Sequence, residues 1–207
     1  FGDRWRDVAR FNRIDRRHAY PGMKIRVPAS LASIEGFTPM PGRYEAAAND
    51  AKLLLLDVSE QFIGAYEHGS LIFSAPVATG RRSNPTPTGE FQVTAFDRRH
   101  RSSLYKVEGT SRPYPMHYGL RFLTTRSGVT YWIHGRDMPG YPASHGCIGL
   151  YDEEMQREVY RSPKDPQLDD ARRLYEWAIG DVVDAGAKQE FLGPRLLITG
   201  ALPTAGK

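Results

Sequence analysis

Cys147 is the only cysteine of the chain. It lies in Ser144-His145-Gly146-Cys147-Ile148-Gly149-Leu150, shortly after Tyr131-Trp132-Ile133-His134-Gly135. One thiol, two imidazoles and several glycines so close together are a poor recipe for a packed core. They suit a nucleophile that needs a base beside it and exposed backbone amides around it. A thiol attacks a carbonyl as the thiolate, so it requires a proton acceptor or a positive local field. Histidine fits, because its unperturbed pKa lies near neutrality. His145 is separated from Cys147 only by Gly146, which implies a sharp turn between them. His134 comes from the end of a separate strand and can reach across without backbone strain, so the base role is assigned to it. Its second ring nitrogen then needs an acceptor, for which Asp137 or a backbone carbonyl would serve. The small residues beside the thiol let amides converge on a developing oxyanion, with Gly146 and Cys147 as the expected donors. These parts specify acyl transfer through a thioester.

Three other readings of the same residues compete. A zinc ion on His134, His145 and Cys147 with a fourth, open position is chemically reasonable. No separate acid is placed to work with a metal-bound water, so neither metal nor cofactor is expected. A small buried hydrophobe is the default for a lone cysteine, but the flanking histidine and glycines weaken it. A redox thiol would lack a resolving partner.

The elements that must position this chemistry are mostly strands. Leu53 to Val58, Gln61 to Glu67 and Leu71 to Ala78 read as a meander, and Glu90 to Ala95 resumes the alternation after the turn-rich Asn84-Pro85-Thr86-Pro87-Thr88-Gly89. Leu120 to Thr125 and Gly128 to His134 are two more, the second delivering His134 at its end. After Cys147 the period changes. Tyr151, Met155 and Val159, then Ala171, Leu174, Tyr175 and Ala178 up to Gly180, mark two helices. Asp181 to Ala185 and Arg195 to Thr199 read as closing strands. Upstream, Trp5, Val8, Ala9 and Phe11 give a helical stripe stopping at Asn12, and Lys24 to Pro28 alternates as a short strand does. Arg98-Arg99-His100-Arg101 reads as solvated surface, with contact to an anionic ligand as the alternative. The division is 1–28 as an N-terminal segment, 29–50 as a connector, 51–188 as the main domain and 189–207 as a C-terminal strand and tail.

The chain has 207 residues, enough for one full domain and a small appendage. Its 28 basic against 24 acidic residues leave a formal charge of +4, too slight an excess to argue for nucleic acid. No apolar run approaches the ~20 residues of a membrane span; the longest clear one is Leu53 to Leu56. Phe1 opens no signal peptide, which says little about export, since a numbering can begin after a cleaved segment.

Ile133-His134-Gly135 followed by Ser144-His145-Gly146-Cys147-Ile148 resembles the signature of the L,D-transpeptidase catalytic domain, also called YkuD. Pro76-Val77-Ala78-Thr79-Gly80 and Thr86-Pro87-Thr88-Gly89-Glu90-Phe91 are similar to that family's two upstream glycine-containing blocks. Pro115-Met116-His117-Tyr118 is similar to the stretch lining its substrate groove. Trp5 to Pro28 resembles the latter part of a LysM module, a peptidoglycan-binding fold, without its opening strand.

The resemblance implies a mainly β protein with some α: a β-sandwich-like catalytic domain with one or two helices, plus a small N-terminal α/β fragment. It implies Cys147 as nucleophile, His134 as base and the Gly135 carbonyl as the group orienting that base. Ser144, His145 and Gly146 would shape the oxyanion pocket, and Met116, Tyr118 and Arg136 would meet substrate. The implied substrate is a peptidoglycan tetrapeptide stem, cut before its D-alanine, with the acyl group passing to an amine of another stem. The implied setting is the periplasm or cell envelope, with a wall-attached protein as a further potential partner and carbapenems as acylating analogues. The chain departs from the pattern at Gly149, where the family has arginine or asparagine; Arg136 and Arg112 are the candidates to replace that side chain. The His134-to-Ser144 spacing is short, and Tyr151 to Gln167 looks inserted. These departures make a cysteine hydrolase of the same substrate a rival to the transferase, and a wall-binding protein with a decayed site a third reading.

Overall fold

A computed structural model describes residues 1–202. Residues 203–207, the end of the expected tail, lie outside the described residues.

The run Leu53 to Leu56 cannot alternate, so it must be covered on both faces. It forms β1 (Leu53–Asp57), which pairs antiparallel with β2 (Phe62–Glu67); β2 in turn pairs with β3 (Ser70–Pro76), giving the expected meander. Leu54 and Leu56 point into the central core. Leu53 and Leu55 point outward, where Met40, Ala47, Phe37 and Tyr44 from the 29–50 segment cover them together with Phe62 and Tyr66. The irregular connector is therefore the lid of a second, smaller core.

The expected strand Glu90 to Ala95 is broken in two. β4 (Gly89–Gln92) lies at one edge of the first sheet, and β5 (Ala95–Asp97) belongs to a second sheet. Val93, fully buried between the sheets, marks the crossing. A hairpin follows, β6 (Arg101–Lys106) and β7 (Pro113–Pro115), which the alternation pattern did not reveal. β8 (Gly119–Thr124), β9 (Thr130–Arg136) and β10 (Ile148–Tyr151) continue the second sheet. Next come α2 (Glu153–Tyr160), capped by the Asp152 side chain on the Met155 amide, and α3 (Asp170–Ile179), which ends at Gly180 as expected. Asp181 to Ala185 forms no strand. The short β11 (Gln189–Glu190) instead pairs with β5, because the following residues must run toward the first sheet. There β12 (Arg195–Thr199) inserts between β1, to which it is parallel, and β4. The C-terminal strand is thus an interior strand of the first sheet, paired on both sides.

The two five-stranded sheets, ordered β3-β2-β1-β12-β4 and β10-β9-β8-β5-β11, face one another. Between them Leu54, Leu56, Ile63 and Ile198 meet Phe96, Leu120, Ile133, Ile148 and Leu150, with Leu174 and Tyr175 of α3 closing the core. Among the described residues no helix is long and apolar enough to cross a membrane.

At the N-terminus α1 (Trp5–Asn12) stops where expected, with Arg13 in the left-handed region at φ 56°. Lys24 to Pro28 forms no strand. With no neighbouring strand to pair with, its backbone is held by a side chain: Asn12 Oδ1 accepts from the Arg26 amide at 2.7 Å, and Asn12 Nδ2 donates to the Arg26 carbonyl at 2.8 Å. The segment is docked on the main domain. The buried Tyr151 hydroxyl shares its one proton between the carbonyls of Ala9 and Ile14, at 3.1 and 3.0 Å, and Asp15 accepts from the Met138 amide and from Gln156 Nε2. Those bonds fix the backbone just beyond β9.

Candidate active site

The register of two parallel strands builds the site. Ile148 pairs with Ile133 and Gly149 with His134, so Cys147, one residue before β10, falls beside Trp132. Side chains alternate along each strand. Ile133, Ile148 and Leu150 therefore face the core, while Trp132, His134, Arg136, Cys147 and Gly149 share the opposite face. His134 and Cys147 stand on adjacent strands of that face, offset by one pleat. Cys147 opens into a cavity of about 230 Å³ lined by Met116, Trp132, His100 and Tyr105.

His134 is 5% exposed, and its Nδ1 lies 2.8 Å from the Gly135 carbonyl oxygen. A carbonyl only accepts, so Nδ1 carries the proton and Nε2 keeps its lone pair. The backbone carbonyl is thus the orienting acceptor, not Asp137, which takes the Tyr114 hydroxyl at 2.7 Å and faces Arg17 and His18. Burial drives the His134 pKa down to about 3, with Arg136 and His100 adding repulsion against the modest lift from the Gly135 carbonyl. Burial also pushes the Cys147 thiol up, opposed by a backbone hydrogen bond with Trp132 and by the Arg136 charge. Both groups rest neutral. A resting thiolate–imidazolium pair is therefore disfavoured at both members.

This has a consequence for stability. An unfolded chain protonates this histidine near 6.5, the folded chain only near 3. Stability from keeping the ring neutral is therefore complete above 6.5 and is lost as pH falls toward 3. Asp152 and Asp170, raised to about 6 by burial, act with the opposite sign in part of that window. The comparison that isolates His134 is the melting temperature of the wild type against His134→Gln between pH 7 and 4. The wild type is expected to lose more on acidification; equal slopes would refute the buried neutral ring.

The loop before β10 is anchored through backbone and hydroxyls. Ser144 and Ala143 donate their amides to the Thr79 carbonyl, and Arg81 donates its amide back to the Ser144 carbonyl. The Thr86 hydroxyl donates to the Gly146 carbonyl at 2.9 Å and accepts from the Gly80 amide at 2.8 Å. Ser144 Oγ donates to the Cys147 carbonyl at 2.6 Å and accepts from the Gly146 amide at 3.1 Å. The Gly146 amide, expected as an oxyanion donor, is thus turned onto Ser144. Among the loop and turn bonds of the described residues, none involves the Cys147 amide. Gly146 serves the turn itself: its φ is +113°, and a Cβ there would sit 2.2 Å from Tyr131 Cε1. His145 stacks on Tyr105 with ring centroids 4.2 Å apart.

Gly149 has a structural counterpart. A Cβ at that position would lie 1.8 Å from Arg136 Cδ and 2.1 Å from Cγ, so the Arg136 side chain runs through the space a larger residue would need. The guanidinium acts electrostatically on Cys147, His134 and His145. Arg112 is exposed at the far end of the β6–β7 hairpin.

Of the residues expected from sequence, Ser144, His145 and Gly146 form the loop before Cys147, Met116 lines its cavity, Arg136 acts on it electrostatically, and His134 and Gly135 lie on the neighbouring strand β9. Tyr118 lies elsewhere: it lines a separate cavity with Arg98, Arg99 and His117. Trp132, His100, Tyr105, Thr79 and Thr86 were not picked. Trp132 was legible, two residues before His134 and hence on the same face. His100 and Tyr105 come from the hairpin, whose placement over the site depends on tertiary contacts: His100 stacks on Trp132 at 3.9 Å. Among the described residues no three histidine, cysteine or acidic side chains are grouped to hold a metal ion.

The model of the L,D-transpeptidase catalytic domain, YkuD, matches residues 51–185. The crystal structure of the L,D-transpeptidase from Xylanimonas cellulosilytica is similar in fold, at 20% identity over 93% of this chain and 79% of that one, with a TM-score of 0.54. An L,D-transpeptidase from Stackebrandtia nassauensis aligns at 21% identity over 73% of this chain and 57% of that one, TM-score 0.47. L,D-transpeptidase 1 of Mycobacterium tuberculosis aligns at 22% over 72% and 62%, TM-score 0.43. The chain thus spans less than two thirds of the length of several solved relatives. No curated protein matches it.

Proposed function

This chain belongs to the L,D-transpeptidase (YkuD) catalytic-domain family, and we propose that it is a peptidoglycan L,D-transpeptidase of the cell envelope with Cys147 as its nucleophile. The observation carrying this reading is the strand register that puts Cys147 and His134 on one face, with His134 Nδ1 fixed on the Gly135 carbonyl. In the proposed reaction Cys147 Sγ attacks the carbonyl before the stem's terminal D-alanine while His134 Nε2 takes the thiol proton. The tetrahedral oxyanion faces the Cys147 amide. Its collapse expels D-alanine, whose amine receives the proton from His134 and leaves a thioester. An amine of a second stem, deprotonated by the same imidazole, then attacks the thioester and restores the thiol.

Arg136 supports this reading as the cation beside the thiol: it favours the developing negative charge on sulfur and disfavours a resting imidazolium. The LysM-like reading of residues 1–28 adds a glycan contact to the proposal. A cavity of about 630 Å³ between that segment and residues 139–142 is lined by Tyr20 and Tyr141, both exposed, aromatic rings suited to sugar faces.

The test is the product profile from a tetrapeptide stem with and without an added amine acceptor, resolved by mass. Cross-linked or acceptor-exchanged product, formed in proportion to acceptor, is the expected result. Tripeptide alone under both conditions would make the protein a hydrolase.

A further inference from the structure

A ridge two segments thick forms one wall of the Cys147 cavity. The Met116 amide donates to the His100 carbonyl at 2.8 Å, and the Tyr118 amide donates to the Arg98 carbonyl at 2.9 Å. His100 and Met116 face the thiol cavity, whereas Arg99, Arg101 and His117 face the other way. There two contiguous cavities of about 360 and 600 Å³ share His117 and Glu158 and form a trench along α2.

Charge in the trench is one-sided. Arg99, Arg101, Arg157, Arg161 and Lys164 line it against Glu154 and Glu158, while Arg98 is tied to Asp184 at 2.7 Å. Arg157 pairs with Glu154, and Arg101 reaches Glu158 only at 3.9 Å. Arg99, Arg161 and Lys164 are exposed, and among the described residues no ion pair involves them. The carbonyl end of α2 accounts for a cation in its last turn, but Arg99 and Arg101 come from the opposite wall.

A second feature points the same way. Asp152, 2% exposed, spends Oδ1 on the Met155 amide, and its Oδ2 has no hydrogen-bond partner. That oxygen lies 3.9 Å from Nδ1 of His117, the ring at the trench floor. Burial lowers the His117 pKa, with Arg101 and Arg99 repelling its proton against the pull of Glu158. An anion in the trench would screen those arginines and let His117 charge, with Asp152 behind it to receive the Nδ1 proton as a hydrogen bond. The orphaned carboxylate oxygen and the crowded cations are both relieved by the same event.

We propose that this trench is a carboxylate-binding subsite, in which Arg99, Arg101, Arg161 and His117 hold the free carboxylates of a peptide stem reacting across the ridge at Cys147. The inference rests on the peptide-stem reading above for its ligand. Guanidinium forks suit carboxylates in bidentate geometry, and the ridge between the trench and the Cys147 cavity is made of two hydrogen-bonded segments, Arg98 to His100 and Met116 to Tyr118.

The test measures binding of a tetrapeptide stem to full-length Cys147→Ala protein, which cannot turn it over, by calorimetry. The same peptide with its carboxyl groups amidated is the reference. The free-carboxylate peptide is expected to bind about tenfold more tightly than the amidated one, with the advantage shrinking as salt rises. In the Arg99→Ala/Arg161→Ala background that advantage is expected to vanish, while iodoacetamide still alkylates Cys147 of the otherwise wild-type variant at the normal rate. An advantage that survives the double substitution, or one absent from the start, overturns the subsite. So does inorganic phosphate that binds the trench where the peptide does not. Failure of the wild type to be acylated by imipenem would instead count against the transpeptidase reading, so the two outcomes are separable.

Discussion

Replacing Cys147 by alanine is expected to eliminate covalent acylation, read as the loss of the imipenem adduct in the intact mass spectrum and of all product from tetrapeptide stems. No other sulfur nucleophile exists in the chain, since its remaining sulfurs are methionine thioethers. The substitution removes one half-buried sulfur from a loop held mainly by backbone and hydroxyl bonds, so melting should change little. His134→Ala gives a graded version of the same result. Loss of a positioned base costs about 10²–10⁴ in rate. In the proposed mechanism His134 takes the thiol proton, so the deficit should narrow at high pH, where the thiol, raised by burial, ionises unaided. An adduct that persists in Cys147→Ala, or a His134→Ala deficit that is the same at every pH, would contradict the assignment.

Gly146→Ala should be nearly as damaging, although it deletes nothing. At φ +113° an L side chain is strained, and its Cβ would meet the Tyr131 ring at 2.2 Å. Either the ring leaves its place beside Phe122, or the loop moves and carries the Cys147 amide and sulfur with it. The Gly146 carbonyl shares one planar peptide unit with the Cys147 amide, so moving that amide also strains the bonds from Thr86 and Ser144 that hold the loop. Misplacing one oxyanion donor typically costs about 10²–10³ in turnover, and the strain adds a destabilisation of roughly 1–3 kcal/mol. The control is Gly109→Ala, at φ +70° with nothing within 4 Å of the added carbon. It shares the backbone strain without the collision, and should lower stability by about 1 kcal/mol with acylation intact. Equal effects of the two substitutions on acylation would remove the geometric argument.

Cys147, His134 and the glycine-rich turn stand out in the sequence as candidates because nucleophilic chemistry demands unusual residue types, which contrast with a background chosen for packing. The strands around them were readable for a related reason. Alternation along β9 and the helical spacing in α3 are local, and burial of one face enforces them. The preference for His134 over His145 as candidate base came from chain geometry, and His134 does lie on the strand paired with β10.

What the sequence withheld is whatever depends on partners distant along the chain. Glu90 to Ala95 reads as one strand, yet it is cut where Val93 passes between the sheets, because the two halves bond to different neighbours. Lys24 to Pro28 alternates correctly but has no strand beside it, so its backbone bonds to Asn12. The Gly146 amide goes to Ser144 instead of the oxyanion position, a matter of a few dihedral angles. Arg136 over Gly149 arises only when β9 and β10 lie side by side, and the basic trench only when the Arg98–Arg101 loop meets α2. Residue type and period are properties of a segment, and the sequence alone determined them; which segments become neighbours is decided by burial of the whole chain, and the tertiary structure alone supplied it.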